Sequence, residues 1–140
     1  MNQIQFFLII LKPDTANDPK KVSILKYLLC YLDIFIVQQK TLTLSAKQVD
    51  DLYQEHLHKD FYQKHAEFMQ SNPVTVLKVK DIDPQVPSHK TTRRLHIFKK
   101  TARALFADPF VQYLNAVHCS VDENDGKREV ELFFPTAGLY

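Results

Sequence analysis

The chain has 140 residues, 45% of them hydrophobic, with 18 Lys and Arg against 16 Asp and Glu. That length is enough for one domain built around a single core, and a net charge of +2 lacks the strongly basic balance of a nucleic-acid or membrane-surface binder. The two cysteines, Cys30 and Cys119, stand in no CxxC pair and no metal-ligand spacing, so they are expected as free thiols of a reducing, cytoplasmic compartment.

The opening MNQIQFFLIILK has neither a basic flank nor a small-residue cleavage site, so it reads as a strand rather than a signal peptide. Residues 4–11 form a continuous apolar run, the pattern of a strand buried on both faces, and Pro13 stops it. Asp18-Pro19 supplies an N-cap and a proline for the first helical turn, followed by Val22, Leu25, Leu28, Leu29 and Leu32 at helical spacing. The apolar stretch 24–37 is interrupted by Lys26 and Asp33 and is too short to span a bilayer. A second strand is predicted over 34–44. Ser45 caps a third element striped with Val49, Leu52 and Tyr53, and a helix over 60–70 follows, with Phe61, His65, Phe68 and Met69 on one side. Ser71-Asn72-Pro73 breaks it. Val74, Val76, Leu77 and Val79 mark a third strand over 74–79. Residues 81–102 hold two prolines, Pro84 and Pro87, and then a basic stretch with room for a short helix. Residues 111–117 read as a fourth strand ending at His118, and Asp122 with Asp125 opens a last helix with Val130, Phe133 and Phe134 as its apolar face. This order predicts one domain over 1–140, an α+β ferredoxin-like sandwich: a four-stranded antiparallel sheet with helices on one side.

His118 follows the predicted end of a strand, where a polar side chain can enter a cleft; a capped strand end is the plain alternative. Ser120 lies two residues on, and Glu129 shares a helix face with Phe133, four residues later. A carboxylate turned toward the core needs a hydrogen-bond partner. An imidazole held at one nitrogen keeps the other as a nucleophile. Glu129 as a surface residue is the competing possibility. His89, Lys90, Arg93, Arg94, His96, Lys99, Lys100 and Arg103 crowd residues 89–103 without an acid. Such a run is either a solvated face or a wall for phosphate, which Arg meets with a planar fork. Lys12 adds a cation at the end of the first strand. Tyr53, Phe61 and Tyr62 are aromatic at helical spacing, which suits a core as well as a ligand platform. With Gly126 and Gly138 the only glycines, there is no Gly-rich phosphate loop, and any phosphate is left to side chains.

Taken together, the stretches "FFLIILKPD", "LYQEHLHKDFYQKHAEFMQSNPV", "TARALFA", "NAVHCS" and "REVELFFP" resemble, in order, the motifs of the nucleoside diphosphate kinase family. "NAVHCS" is similar to its active-site N-x-x-H-G-S and "REVELFFP" to its closing REI-x-x-FFP. The resemblance implies ping-pong transfer in which His118 takes the γ-phosphate of a nucleoside triphosphate and passes it to a nucleoside diphosphate. It further implies that Ser120 and Glu129 position the histidine, that Lys12, Tyr53, Arg103 and Asn115 hold phosphate and ribose, and that Phe61 stacks on the base. Arg94 is the choice for a second phosphate arginine. Tyr62, Val111 and His65 are expected near the base. Magnesium is expected to arrive on the nucleotide, and homo-oligomers built from dimers are implied. The chain departs from the family at Cys119 (glycine), Val121 (aspartate), Leu114 (arginine), Leu52 (histidine) and Asn72 (glycine). These departures motivate the alternative of a nucleotide-binding regulatory module without turnover. A nucleic-acid binder using residues 89–103 is a third and weaker possibility, and a membrane partner is not expected.

Overall fold

Every residue of strand β1 (Phe7–Leu11) is buried, and the architecture follows from that strand's position. In the computed structural model, which describes residues 4–136, β1 lies inside a four-stranded antiparallel sheet of order β2-β3-β1-β4. The other strands are β2 (Ile34–Leu42), β3 (Val74–Asp81) and β4 (Val117–Cys119). Side chains alternate across a strand, so Phe7, Ile9 and Leu11 join one core while Leu8 and Ile10 join another. The first core is closed by helix α2 (Pro19–Tyr31) and helix α5 (Ser88–Phe106). The second is closed by α3 (Ala46–Leu52), α4 (Tyr62–Ser71) and α6 (Glu123–Phe133). A short α1 (Pro13–Ala16) links β1 to α2.

The ferredoxin-like four-stranded sheet matches the expected fold, but the expectation that the helices lie on one side is corrected. A central strand with no polar residue at either alternation needs apolar cover on both faces, and both faces have it. Local signals hold elsewhere. The Asp18 carboxylate accepts from the Lys20 and Lys21 amides at the start of α2, and Ser45 with Gln48 forms a capping box on α3.

Two segments differ from expectation. Residues 81–102 are not a loop with a short helix: α5 is 19 residues long. Pro87 sits just before the first turn, where a missing N–H does no harm, and Thr91, Leu95, Phe98 and Ala102 are buried along one side. The predicted strand over 111–117 is a turn instead. The Asp108 carboxylate accepts from the Phe110 and Val111 amides, and pairing with β1 begins only at Val117. Among the described residues no helix is long and apolar enough to cross a membrane.

Helix α6 lies close on β1 because Gly126 has no side chain there. A Cβ at Gly126 would stand 2.7 Å from the Phe6 carbonyl oxygen and 3.0 Å from Phe7 Cδ1. Gly126→Ala is therefore expected to destabilise the fold by about 1–3 kcal/mol through overpacking, although alanine is the better helix former by about 1 kcal/mol. Urea unfolding checks this, and unchanged or raised stability would contradict the close approach.

Candidate active site

His118 is placed by the start of β4. Ala116, two residues before it, has φ 75°, a left-handed conformation costing an alanine on the order of 1–2 kcal/mol. Two contacts hold it: its N–H donates to Asp14 Oδ2 at 3.1 Å, and its carbonyl accepts from the Lys12 N–H at 3.0 Å. Val117 and Cys119 then turn into the core shared with α5. His118, between them, faces the opposite side of the sheet, toward Tyr53.

There it meets Glu129, which α6 carries into the interior at 2% exposure. His118 Nε2–H donates to Glu129 Oε1 at 3.0 Å, and the Ser120 hydroxyl donates to the same oxygen at 2.9 Å. Ser120 Oγ in turn accepts the Leu8 N–H at 2.9 Å. A carboxylate can only accept, so the proton of the imidazole lies on Nε2. Nδ1 keeps its lone pair and, among the described residues, has no hydrogen-bond partner.

Beside this group the cleft is cationic. Lys12, 2% exposed, donates through Nζ to Asn115 Oδ1 at 2.6 Å and to His65 Nε2 at 3.2 Å. Burial, reinforced by the Arg103 charge and only partly offset by Asp14, pushes the lysine down to about 7. Burial and the neighbouring Lys12 push His65 down to about 3, so His65 is a neutral acceptor. Arg103 donates to the Val117 carbonyl at 3.3 Å, and its Nε is buried without a partner. The Tyr53 ring packs 4.5 Å from His65 and edge-on to His118 at 5.4 Å. Its hydroxyl is buried, unpartnered, and held protonated chiefly by burial. Phe61, 43% exposed, stands at the lip. The open cleft has a volume of about 280 Å³.

Of the residues expected from the sequence, His118, Ser120 and Glu129 form one hydrogen-bonded group, and Lys12, Tyr53, Phe61, Arg103 and Asn115 line the same cleft. Arg94 does not: it points across α5 to pair with the buried Asp81 and to donate to the Leu32 carbonyl. Tyr62 is turned inward, its hydroxyl donating to Asp50 at 2.6 Å, and Val111 is not on the cleft wall. His65 supports Lys12 rather than reaching outward. The cleft also contains His56 and Arg128, which had no expected site role, and Lys99, expected only as one of the basic run over 89–103. The i,i+4 spacing of Lys99 and Arg103 was a usable signal once both were known to be helical. Arg128 is committed to the Asp51 carbonyl at 2.7 Å.

The sequence matches the family model described as nucleoside diphosphate kinase over residues 5–139. It is 31% identical over 138 residues to the nucleoside diphosphate kinase of Glaesserella parasuis, covering 94% of this chain and 95% of that protein. It is 28% identical over 132 residues to that of Rickettsia bellii, covering 94% of each. Among solved structures, the Aquifex aeolicus nucleoside diphosphate kinase aligns with a TM-score of 0.72 at 22% identity, over 96% of this chain and 98% of that one. The Halobacterium salinarum enzyme, in complex with CDP, aligns with a TM-score of 0.74 at 21% identity, over 96% of this chain and 90% of that one.

A buried ammonium pushed down to about 7 has a consequence for stability. The unfolded chain binds the Lys12 proton more tightly, so between the folded and unfolded values stability rises with pH. Lys12→Met, which lacks this burden, should be the more stable protein in the empty state. Its advantage over wild type should shrink by about 1–2 kcal/mol from about pH 6.5 to about pH 8.5. Urea unfolding of both proteins across that range provides the measurement, and a constant gap would mean that Lys12 keeps an ordinary affinity for its proton.

Proposed function

The chain belongs to the nucleoside diphosphate kinase family and is a phosphotransferase of that kind, and on that premise we propose that His118 is its phosphoryl carrier. The observation that supports this most is the Glu129 carboxylate, which fixes the imidazole tautomer from Nε2 and leaves the Nδ1 lone pair available. That lone pair attacks the γ-phosphorus of a nucleoside triphosphate. The bond from phosphorus to the β,γ-bridging oxygen breaks, and the nucleoside diphosphate leaves with those electrons. The imidazole becomes cationic, and Glu129 stabilises it without taking its proton. In the second half-reaction a terminal oxygen of another nucleoside diphosphate attacks the phosphorus, the N–P bond breaks, and neutral His118 is restored. No net proton is needed.

Phosphoryl transfer asks little of the protein beyond positioning and charge. Lys12, Arg103, the Asn115 amide and the Tyr53 hydroxyl supply both, and two of their donors, the Tyr53 hydroxyl and Arg103 Nε, are buried without a partner. Near neutrality Lys12 is poised between its charged and neutral forms, and an arriving phosphate favours the charged one. Phe61 offers a ring on which any base can stack, a contact worth about 1–3 kcal/mol that is indifferent to base identity.

Magnesium is the ion we assign to the reaction, arriving on the nucleotide, where it would neutralise part of the phosphate charge. The donor set of the cleft fits a nucleotide-borne ion. Glu129 is already committed, and the carboxylates of Glu55 and of Asp125, the latter 3.8 Å from Arg128, line the wall where a hydrated ion would be met through its water shell. Assembly from dimers is supported by exposed apolar surface. Tyr27 and Tyr31 on α2 are each 77% exposed, and Phe35 on the edge strand β2 is 51% exposed, apolar surface of the kind that closed two-fold contacts cover. The exposed Cys30 and buried Cys119 are both free, in keeping with a cytoplasmic setting.

Incubated with γ-labelled ATP and no acceptor, the wild-type protein should acquire acid-labile, base-stable label, and His118→Gln should acquire none. Label persisting in that variant would remove His118 from its role. Glu129→Gln should slow single-turnover transfer by roughly ten- to a hundredfold, the range seen when partners that orient a histidine ligand are lost. A wild-type rate would show that the tautomer is set without Glu129.

A further inference from the structure

Lys99 and Arg103 lie four residues apart on α5, and both line the cleft. That spacing places two side chains on one helix face, about 5–6 Å apart at Cβ. The other cations around the cleft are engaged. Lys12 is bound to Asn115 and His65, Arg103 to the Val117 carbonyl, and Arg128 to the Asp51 carbonyl. Arg94, further up α5, is paired with Asp81. Lys99 is half-buried and, among the described residues, has neither an ion pair nor a hydrogen-bond acceptor. An ammonium partly withdrawn from water, with no counter-charge, is unfavourable unless an anion joins it. Arg103 bonds the Val117 carbonyl beside His118, and Lys99 stands one helical turn away from it on the same wall.

We propose that Lys99 is a phosphate-contacting residue of the nucleotide site, and that its ammonium meets a phosphate that stays on the nucleotide rather than the one that moves. The assignment rests on the phosphocarrier function above, because only that reaction places a diphosphate beside His118 in both half-reactions. A contact with the retained diphosphate is made equally in ground and transition states. Its loss is therefore uniform, weakening binding while leaving the rate at saturation alone. Lys99 supplies from a straight helix the second cationic contact that the sequence suggested for Arg94.

The test is calorimetric binding of ADP with magnesium to the full chain, alongside steady-state kinetics with ATP and ADP. Lys99→Met should bind ADP about tenfold to a hundredfold more weakly, the scale of one charge-assisted hydrogen bond. It should raise KM for both nucleotides by a similar factor and leave kcat within about twofold. Lys99→Arg, which keeps the charge and the helix, should retain most of the affinity. Wild-type ADP affinity in Lys99→Met, or a fall in kcat with affinity intact, would overturn the proposal. Binding is read without turnover, so the two assignments separate. If the wild-type chain binds ADP but never forms phosphohistidine, the carrier function of His118 fails, while a Lys99-dependent affinity still supports this site.

Discussion

The Glu129 carboxylate is the constraint around which the site is arranged. A carboxylate at 2% exposure stays ionised only if its lone pairs are met by donors. Those donors come from β4, through His118 and Ser120. Ser120 also takes the Leu8 amide of β1, so satisfying one charge ties α6 to β4, which carries His118, and to β1. The close seating of α6 on β1 at Gly126 brings the carboxylate within reach. The histidine is thus oriented by the same contacts that close the second core. Its precision comes from packing on rigid elements rather than from a flexible loop.

The cationic side of the cleft follows the opposite logic. Lys12 is buried beside Arg103 and a neutral histidine, with Asp14 as partial compensation. Asp14 is itself pushed upward by burial and has one oxygen without a partner. Such a group lowers the stability of the empty protein and is made good when an anion enters, which is how a preorganised electrostatic site differs from a structural ion pair. The left-handed Ala116, held by Asp14 and by the Lys12 amide, lies at the junction of the two halves. It lets one short segment present Asn115 to the lysine and His118 to the glutamate.

How far the sequence disclosed this depends on how local each signal was. The Asp18 and Ser45 caps were legible because a cap is made with residues two or three positions away. So was the central strand, whose unbroken apolar run also implied cover on both faces, against the one-sided sandwich drawn from element order. Helix α5 was obscured because its buried residues Thr91, Leu95, Phe98 and Ala102 include a threonine and an alanine, small and only weakly apolar, among many basic residues. The turn over 111–116 was obscured because Asp108 ends the preceding chain by side-chain-to-backbone bonds. Neither Pro109 nor the apolar letters around it announce those bonds. The placing of Arg94 in the site failed for a different reason. Only the tertiary position of Asp81 decides which face of α5 an arginine serves.

The departures from the family pattern fall outside the hydrogen-bonded group of His118, Ser120 and Glu129. Cys119 occupies the family's glycine position, but its side chain alternates away from His118 into the core beneath α5. There burial pushes the thiol up to about 12, and it behaves as a small apolar group. Asn72 replaces a glycine at φ −152°, an extended backbone that any residue adopts, so no conformational freedom is lost. Leu52 stands where a histidine is expected and packs, 3% exposed, into the core beside Tyr53, exchanging a polar contact for support of the tyrosine. Val121 is 60% exposed at the edge of the cleft. A decayed site is free to lose the contacts that cost stability, because stabilising substitutions there no longer carry a functional cost. The buried Lys12 and Glu129 are the two groups that an inactive descendant would gain most by replacing with apolar side chains, and both are in place with their partners assembled around them.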